Sequence, residues 1–138
     1  LYREKENCIG KGVRDGERER SQGPGITHNQ RNITTLIIET PMDAELEAED
    51  LIILVENALS SPTFETLKRE DEAKVVLRAH ENPKFVEDVV RSVLKSVVET
   101  YGELPGDSVV RVRSESQESI HKHNAYAERA ATMDELRR

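Results

Sequence analysis

The chain has 138 residues, a net charge of −7, 34% charged residues, 4% aromatic residues and no Trp; this suits one domain or one half of a larger enzyme, and speaks against a general nucleic-acid binder, which needs a basic face and stacking rings. Cys8 is the single cysteine, so no intrachain disulfide can form and a reducing, cytoplasmic setting is expected. No apolar run approaches the roughly 20 residues of a membrane span, the longest being Leu51-Ile52-Ile53-Leu54-Val55, and no secretory signal is visible.

Residues 1–27 carry six Lys/Arg, five Asp/Glu and five Gly with almost no apolar period. Such a segment buries too little surface to offset its ordering entropy, so it is expected to be irregular or partly disordered, with 28–138 as the folded domain. Gly10-Lys11-Gly12 and Gly23-Pro24-Gly25 read as turns, since neither has the spacing or the Lys-Ser/Thr ending of a phosphate loop. The β-branched run Ile33–Glu39 predicts a strand that Pro41 ends. Glu47 to Leu59 predicts a helix with Leu51, Leu54, Val55, Ala58 and Leu59 at helical spacing, stopped by Ser61-Pro62. A helical turn over Thr63–Leu67 and a helix from Glu70 to His80, with Val75, Val76 and Ala79 inward, are expected next.

The clearest element starts at Asn82, a good N-cap, with Pro83 suited to the first helical position. Val86, Val89, Val90, Val93, Leu94, Val97 and Val98 form one broad apolar stripe, and Gly102 is a natural C-cap. Leu104-Pro105-Gly106-Asp107 is a turn, Val109–Arg113 a strand, and the polar tail from Asn124 to Arg138 is expected to be partly helical. Strand, helices and strand in that order predict an α+β fold with helices packed on one face of a sheet. No internal repeat is visible.

Four clusters could carry chemistry: Thr27-His28-Asn29-Gln30-Arg31, Lys68-Arg69-Glu70-Asp71-Glu72, Asn82 to Asp88, and Glu118-Ser119-Ile120-His121-Lys122-His123. Each has a plain structural explanation. A single histidine at a strand edge is usually surface, and acids such as Glu72, Glu87 and Asp88 in a first helical turn favour the macrodipole. His121 and His123 are more suggestive, because alternate residues of an extended segment face the same way and two imidazoles can reach one site.

Taken together and in this order, the four clusters resemble the tunnelling-fold GTP cyclohydrolases, specifically the archaeal MptA class and its bacterial relatives. The segments that carry the likeness are Thr27 to Arg31, Leu67 to Glu72, His80 to Arg91, and Glu118 to Arg129, the last reading Glu-Ser-Ile-His-Lys-His-Asn-Ala-Tyr-Ala-Glu-Arg. The resemblance implies a tunnelling-fold unit: an antiparallel sheet with helices on one face, closed into a barrel by homo-oligomerisation, with sites at interfaces between subunits. It implies His28, Glu72 and His121 as metal ligands, with Cys8 as the remaining one. The Asn7-Cys8-Ile9-Gly10 context departs from the family's cysteine beside a proline. It implies Glu87 as the carboxylate that grips the guanine edge. It also implies one divalent metal ion per site, Fe(II) favoured with Zn(II) or Mn(II) as alternatives, and GTP as substrate.

The implied reaction is hydrolysis of the purine ring of GTP at C8 with release of formate. The product would be a 7,8-dihydroneopterin phosphate for methanopterin or folate biosynthesis, the 2′,3′-cyclic phosphate if the archaeal likeness holds. His123 is a candidate proton shuttle because an imidazole titrates near working pH. Lys68, Arg69, Arg111 and Arg113 are candidate phosphate contacts. Family members are about twice this length, and the chain begins at Leu1 rather than Met, so a fragment and a shortened relative are both open. A non-catalytic pterin- or purine-binding unit of the same fold, and a plain helical interaction domain, are the competing readings. No nucleic-acid or membrane partner is expected.

Overall fold

The computed structural model describes residues 28–41 and 43–138. The expected irregular segment 1–27, and Cys8 within it, lie outside the described residues. Strand β1 (Arg31–Glu39), helices α1 (Ala48–Ala58), α2 (Arg69–Glu81) and α3 (Val86–Thr100), strands β2 (Val109–Gln117) and β3 (Ala125–Thr132), and the short helix α4 (Met133–Leu136) follow in that order. The three strands form one antiparallel sheet, β1-β2-β3, with β2 in the middle. The fold is α+β, as the sequence indicates.

Along β1, exposed and half-buried residues alternate, so Asn32, Thr34, Leu36 and Ile38 share the covered face. The register sets them against Ser116, Ser114, Val112 and Val110 of β2, all buried. α3 lies over this face and sinks Val86, Val89, Val90, Val93, Leu94 and Val97 into it. Each fully buried Val or Leu contributes about 1.5–3 kcal/mol, so this stripe is the main anchor of the fold. α1 adds Leu54 and Ala58 to the same core. Tyr101, at the end of α3, places its hydroxyl near Glu47 and Asp50 at the start of α1, where burial, then the two acidic charges, pushes its pKa up.

Several boundaries differ from the sequence reading. α3 begins at Val86 rather than Pro83, because Asn82-Pro83-Lys84 serves another purpose. The Asn82 amide donates to the Leu59 and Ser60 carbonyls at 3.4 and 3.3 Å, and Lys84 Nζ donates to the Ala58 carbonyl at 2.8 Å. These groups satisfy carbonyls that the end of α1 leaves without helical partners. The start of α3 is capped instead by the Asp88 carboxylate, which accepts from the Phe85 N–H at 3.1 Å, and the helix closes on Tyr101, one residue before Gly102. No helical turn forms over 63–67. α2 forms as expected, but it buries no residue; Val75, Val76 and Ala79 are only half-buried.

The larger corrections lie at the C-terminal side. β2 continues to Gln117, beyond Arg113, and the tail expected to be partly helical is mostly the strand β3, which the sequence reading did not anticipate. Helix appears only in α4, where Thr132 Oγ1 accepts from the Glu135 N–H at 3.3 Å and the Glu135 carboxylate accepts from the Thr132 N–H at 3.0 Å. This one turn drops Met133 fully into the core. Backbone bonds from Met133 and Asp134 to Ser108 and Gly106, and Arg137 donating to the Gly102 and Leu104 carbonyls, tie the end of the chain to the α3–β2 turn.

Met133→Ala is expected to cost about 2–5 kcal/mol, as for other large-to-small core changes, whereas Ile52→Ala, at a position 59% exposed, should shift stability by no more than about 0.5 kcal/mol. Urea unfolding of the two variants reads both values.

Candidate functional site

The register that builds the sheet also gathers the site. Arg31, the first residue of β1, faces Gln117, the last of β2. The segment before Arg31 and the segment after Gln117 therefore leave the sheet at the same end. His28 to Gln30 comes from the first and Glu118 to His123 from the second.

Gln30 joins the two. Its side-chain amide donates to Ser116 Oγ at 2.5 Å and to Glu118 Oε1 at 2.7 Å. The other oxygen of Glu118 lies 3.8 Å from His28 Nε2, with the carboxylate side chain only 11% exposed. The ring of His28 meets His121 edge-on, centroids 6.2 Å apart at 87°, and His121 stacks on His123 at 5.9 Å and 27°. Three imidazoles and one nearly covered carboxylate thus form a row at the end of the sheet. Behind them the covered face is polar: Thr34 and Ser114 hydroxyls donate to Asn32 Oδ1 at 2.8 and 2.9 Å and lie 3.0 Å from each other. Asn32 Oδ1 thus accepts from both hydroxyls, so the polar floor beside the apolar core has its donors satisfied.

Of the expected site residues, His28, His121 and His123 are brought together. Glu72 sits in the first turn of α2 and is exposed, and Glu87 is exposed in the first turn of α3. A groove is lined by Arg91, Lys95 and Val98 of α3, Arg129 of β3, and Glu135 and Leu136 of α4. α3 closes on Tyr101, and Arg137, just past β3, donates to the Gly102 and Leu104 carbonyls that follow, so the helix and β3 end on the same side of the fold. Glu87 lies in the opposite, N-terminal turn of α3. Among the described residues, no three His, Cys, Asp or Glu groups are placed to hold a metal ion by themselves.

The expected phosphate contacts divide. Arg113 is committed to the open face of the sheet, donating to Glu115 at 3.2 Å and Glu128 at 3.5 Å and lying 4.5 Å over the ring of Tyr126. The hydrogen bond from Arg113 to Glu115, more than any other influence, raises the guanidinium pKa. Arg111 shares that face and is exposed, as is Lys68 at the start of α2.

Sequence reasoning quoted Gln30 and Glu118 without giving them a task. The available signal was the inward-facing series Ser114, Ser116 and Asn32, Thr34, where alternation persists but the covered residues turn polar.

An α+β sheet with an imidazole cluster at one end is the class of protein defined by this fold and site. Residues 7–127 match the family described as Type I GTP cyclohydrolase folE2, and the chain belongs to that family. It is 48% identical over 111 residues to the GTP cyclohydrolase MptA of Methanobrevibacter smithii, covering 80% of this chain and 36% of that protein. It is 51% identical over 111 residues to the GTP cyclohydrolase MptA of Methanothermobacter thermautotrophicus, covering 80% of this chain and 35% of that protein. It is 49% identical over 115 residues to GTP cyclohydrolase MptA 1 of Methanocella arvoryzae, covering 83% and 36%. The chain thus spans about a third of the length of these relatives. No helix among the described residues is long and apolar enough to cross a membrane.

Glu115, beside the histidine loop, has its pKa lowered, first by the hydrogen bond from Asn124 and then by that from Arg113. A depressed carboxylate stabilises the fold fully above its unfolded pKa, and that contribution disappears as pH falls through the folded value. Glu115→Gln should therefore be less stable than the parent at neutral pH, with the difference shrinking below the ordinary carboxylate range. Urea midpoints across an acid pH series test this.

Proposed function

We propose that this chain is part of a metal-dependent GTP cyclohydrolase that hydrolyses the purine ring of GTP at C8 and releases formate. The observation that carries the reading is the convergence of His28 and His121 from two motifs far apart in the chain, within a family of GTP cyclohydrolases. Excising C8 as formate breaks both of its bonds to nitrogen and consumes two waters. Water is a weak nucleophile, and the site must both activate it and supply protons to the departing nitrogens.

The donor set fits a borderline divalent ion, since imidazoles suit iron and zinc and carboxylates suit manganese. His28 and His121 would hold it, with Glu72 and Cys8 completing the set and Fe(II) favoured over Zn(II) or Mn(II). When bound, such an ion would lower the pKa of water to about 7. His123, stacked on His121, is the group we assign to proton transfer. Glu87 at the exposed start of α3 accepts the paired N1–H and NH2 of guanine; adenine has an acceptor at N1 and no amino group at C2, and is rejected.

Glu72 stands on a helix apart from the imidazole row, and β1 and β3 are edge strands with Ile33, Ile37 and Tyr126 exposed on the open face. Both features support a homo-oligomer, dimer or tetramer, in which tunnelling-fold sheets close into a barrel and complete the site between subunits. The identity to archaeal MptA proteins supports the 2′,3′-cyclic phosphate of 7,8-dihydroneopterin as product, with diphosphate expelled as the cyclic ester closes on the α-phosphorus, feeding methanopterin synthesis in the cytoplasm.

The test is metal content of anaerobically purified protein, with formate release from GTP measured on the same sample. One metal per chain with formate release is the expected result. GTP binding without metal or turnover, even after each ion is added, would replace the enzyme with a purine-binding unit. His121→Ala should remove metal and turnover together while the far-ultraviolet circular dichroism is unchanged; full activity in that variant would sink the assignment. Glu87→Ala should weaken GTP binding by about 1–3 kcal/mol and erase the preference over ATP, read by competitive binding.

A further inference from the structure

The loop from Glu118 to Asn124 leaves β2 and enters β3 with no regular structure, and Ser119 through Asn124 are exposed. Burial therefore does not hold it, yet it carries His121 and His123 in a defined stack. Two side chains do the holding. On the covered side of the sheet, Gln30 fixes the Glu118 carboxylate. On the open side, Asn124 spans the neck of the loop: its Oδ1 accepts from the Glu118 N–H at 3.2 Å, and its Nδ2 donates to Glu115 Oε1 at 3.0 Å. One amide thereby joins the first and last residues of the loop to the strand beneath. Glu115 is in turn braced by Arg113, which lies over Tyr126 on β3.

We propose that Asn124 is a positioning residue that closes the neck of the histidine loop and so sets where His121 and His123 stand. The task requires an acceptor and a donor on one short planar group, which Asn supplies. Asp keeps the acceptor but sets a second carboxylate against Glu115, and Ala offers neither. The role in catalysis rests on the cyclohydrolase reading, because it takes His121 and His123 as working groups. A reacting group misplaced by about 1 Å costs on the order of 10²-fold in rate, so a loop free to wander would retain its residues and lose its function.

Nuclear magnetic resonance of Asn124→Ala and Asn124→Asp, alongside GTP turnover, tests the proposal. In Asn124→Ala the Glu118 amide should exchange about tenfold faster, the scale of one to two lost hydrogen bonds. The ring contacts between His121 and His123, and between His28 and His121, should vanish, while cross-strand contacts between Leu36 and Val112 remain. Asn124→Asp should keep more of the Glu118 protection than Asn124→Ala does. In turnover, kcat should fall with KM for GTP within about twofold, the pattern of a group that acts on the reacting geometry rather than on binding. Unchanged ring contacts and Glu118 protection in Asn124→Ala would overturn the proposal. So would an even loss of contacts throughout the sheet, which would make Asn124 a general stabiliser. If the whole protein that contains this chain turns over no GTP, the cyclohydrolase reading fails, while the effect on the loop is still decided by the resonance data.

Discussion

The antiparallel register that places Arg31 opposite Gln117 carries both the core and the site. Side chains on a strand alternate between faces, so a slip of one residue would turn Leu36 and Ile38 out to solvent and bring Ile33 and Ile37 under α3. The same slip would pull Gln30 away from Glu118 and Ser116, and His28 away from His121. The apolar contacts of Leu36 and Ile38 therefore position the imidazoles, although they lie at the other end of the strand. The core holds the ladder in one register, and the ladder delivers the chemistry-bearing residues to one place.

The covered face of the sheet changes character along its length. At the end near α4 it is Ile38, Val110 and Ala131; one pair further it is Leu36 and Val112; then come Thr34 and Ser114, and finally Asn32 and Ser116. A valine-rich helix can lie on the first half with close packing. On the second half, hydroxyls and an amide satisfy each other and hand the network on through Gln30 to Glu118. The imidazole row thus stands on a hydrogen-bonded base that is continuous with the core, which suits groups that must be held within a fraction of an ångström.

The α+β class, the strand at Ile33–Glu39 and the stripe of α3 were legible because they rest on strong periodic signals: β-branched residues in one case, seven apolar residues at helical spacing in the other. The family resemblance was legible because four polar motifs occur in order, and these motifs also named the three histidines that come together. β3 was missed because Ala125–Thr132 has almost no apolar alternation; it is a strand through its pairing with β2, a tertiary effect that local preference does not record. The start of α3 was misplaced because Asn82-Pro83 is a good helix beginning taken alone. Its side chains instead serve the carbonyls of α1, a partner more than twenty residues back. The partners of Gln30 and Asn124 could not be read, since each depends on which groups the folded strands bring within reach.

The separation between β1 and its partner has a consequence for how the molecule comes into being. Thr34 and Ser114, which touch in the sheet, are 80 residues apart in the chain, whereas Arg113 and Glu128 on β2 and β3 are 15 apart. Closing the longer loop costs more entropy, about 0.6 kcal/mol for each doubling of length, and non-local pairings form slowly. The β2–β3 hairpin, carrying the loop of His121 and His123, is thus favoured to form before β1 arrives to bring His28. On a ribosome β1 emerges well before β2 has been made, with Ile33 and Ile37 on an unpaired strand in the meantime. The imidazole row is complete only when β1 has joined the hairpin, so half of the site waits on a strand made well before its partner.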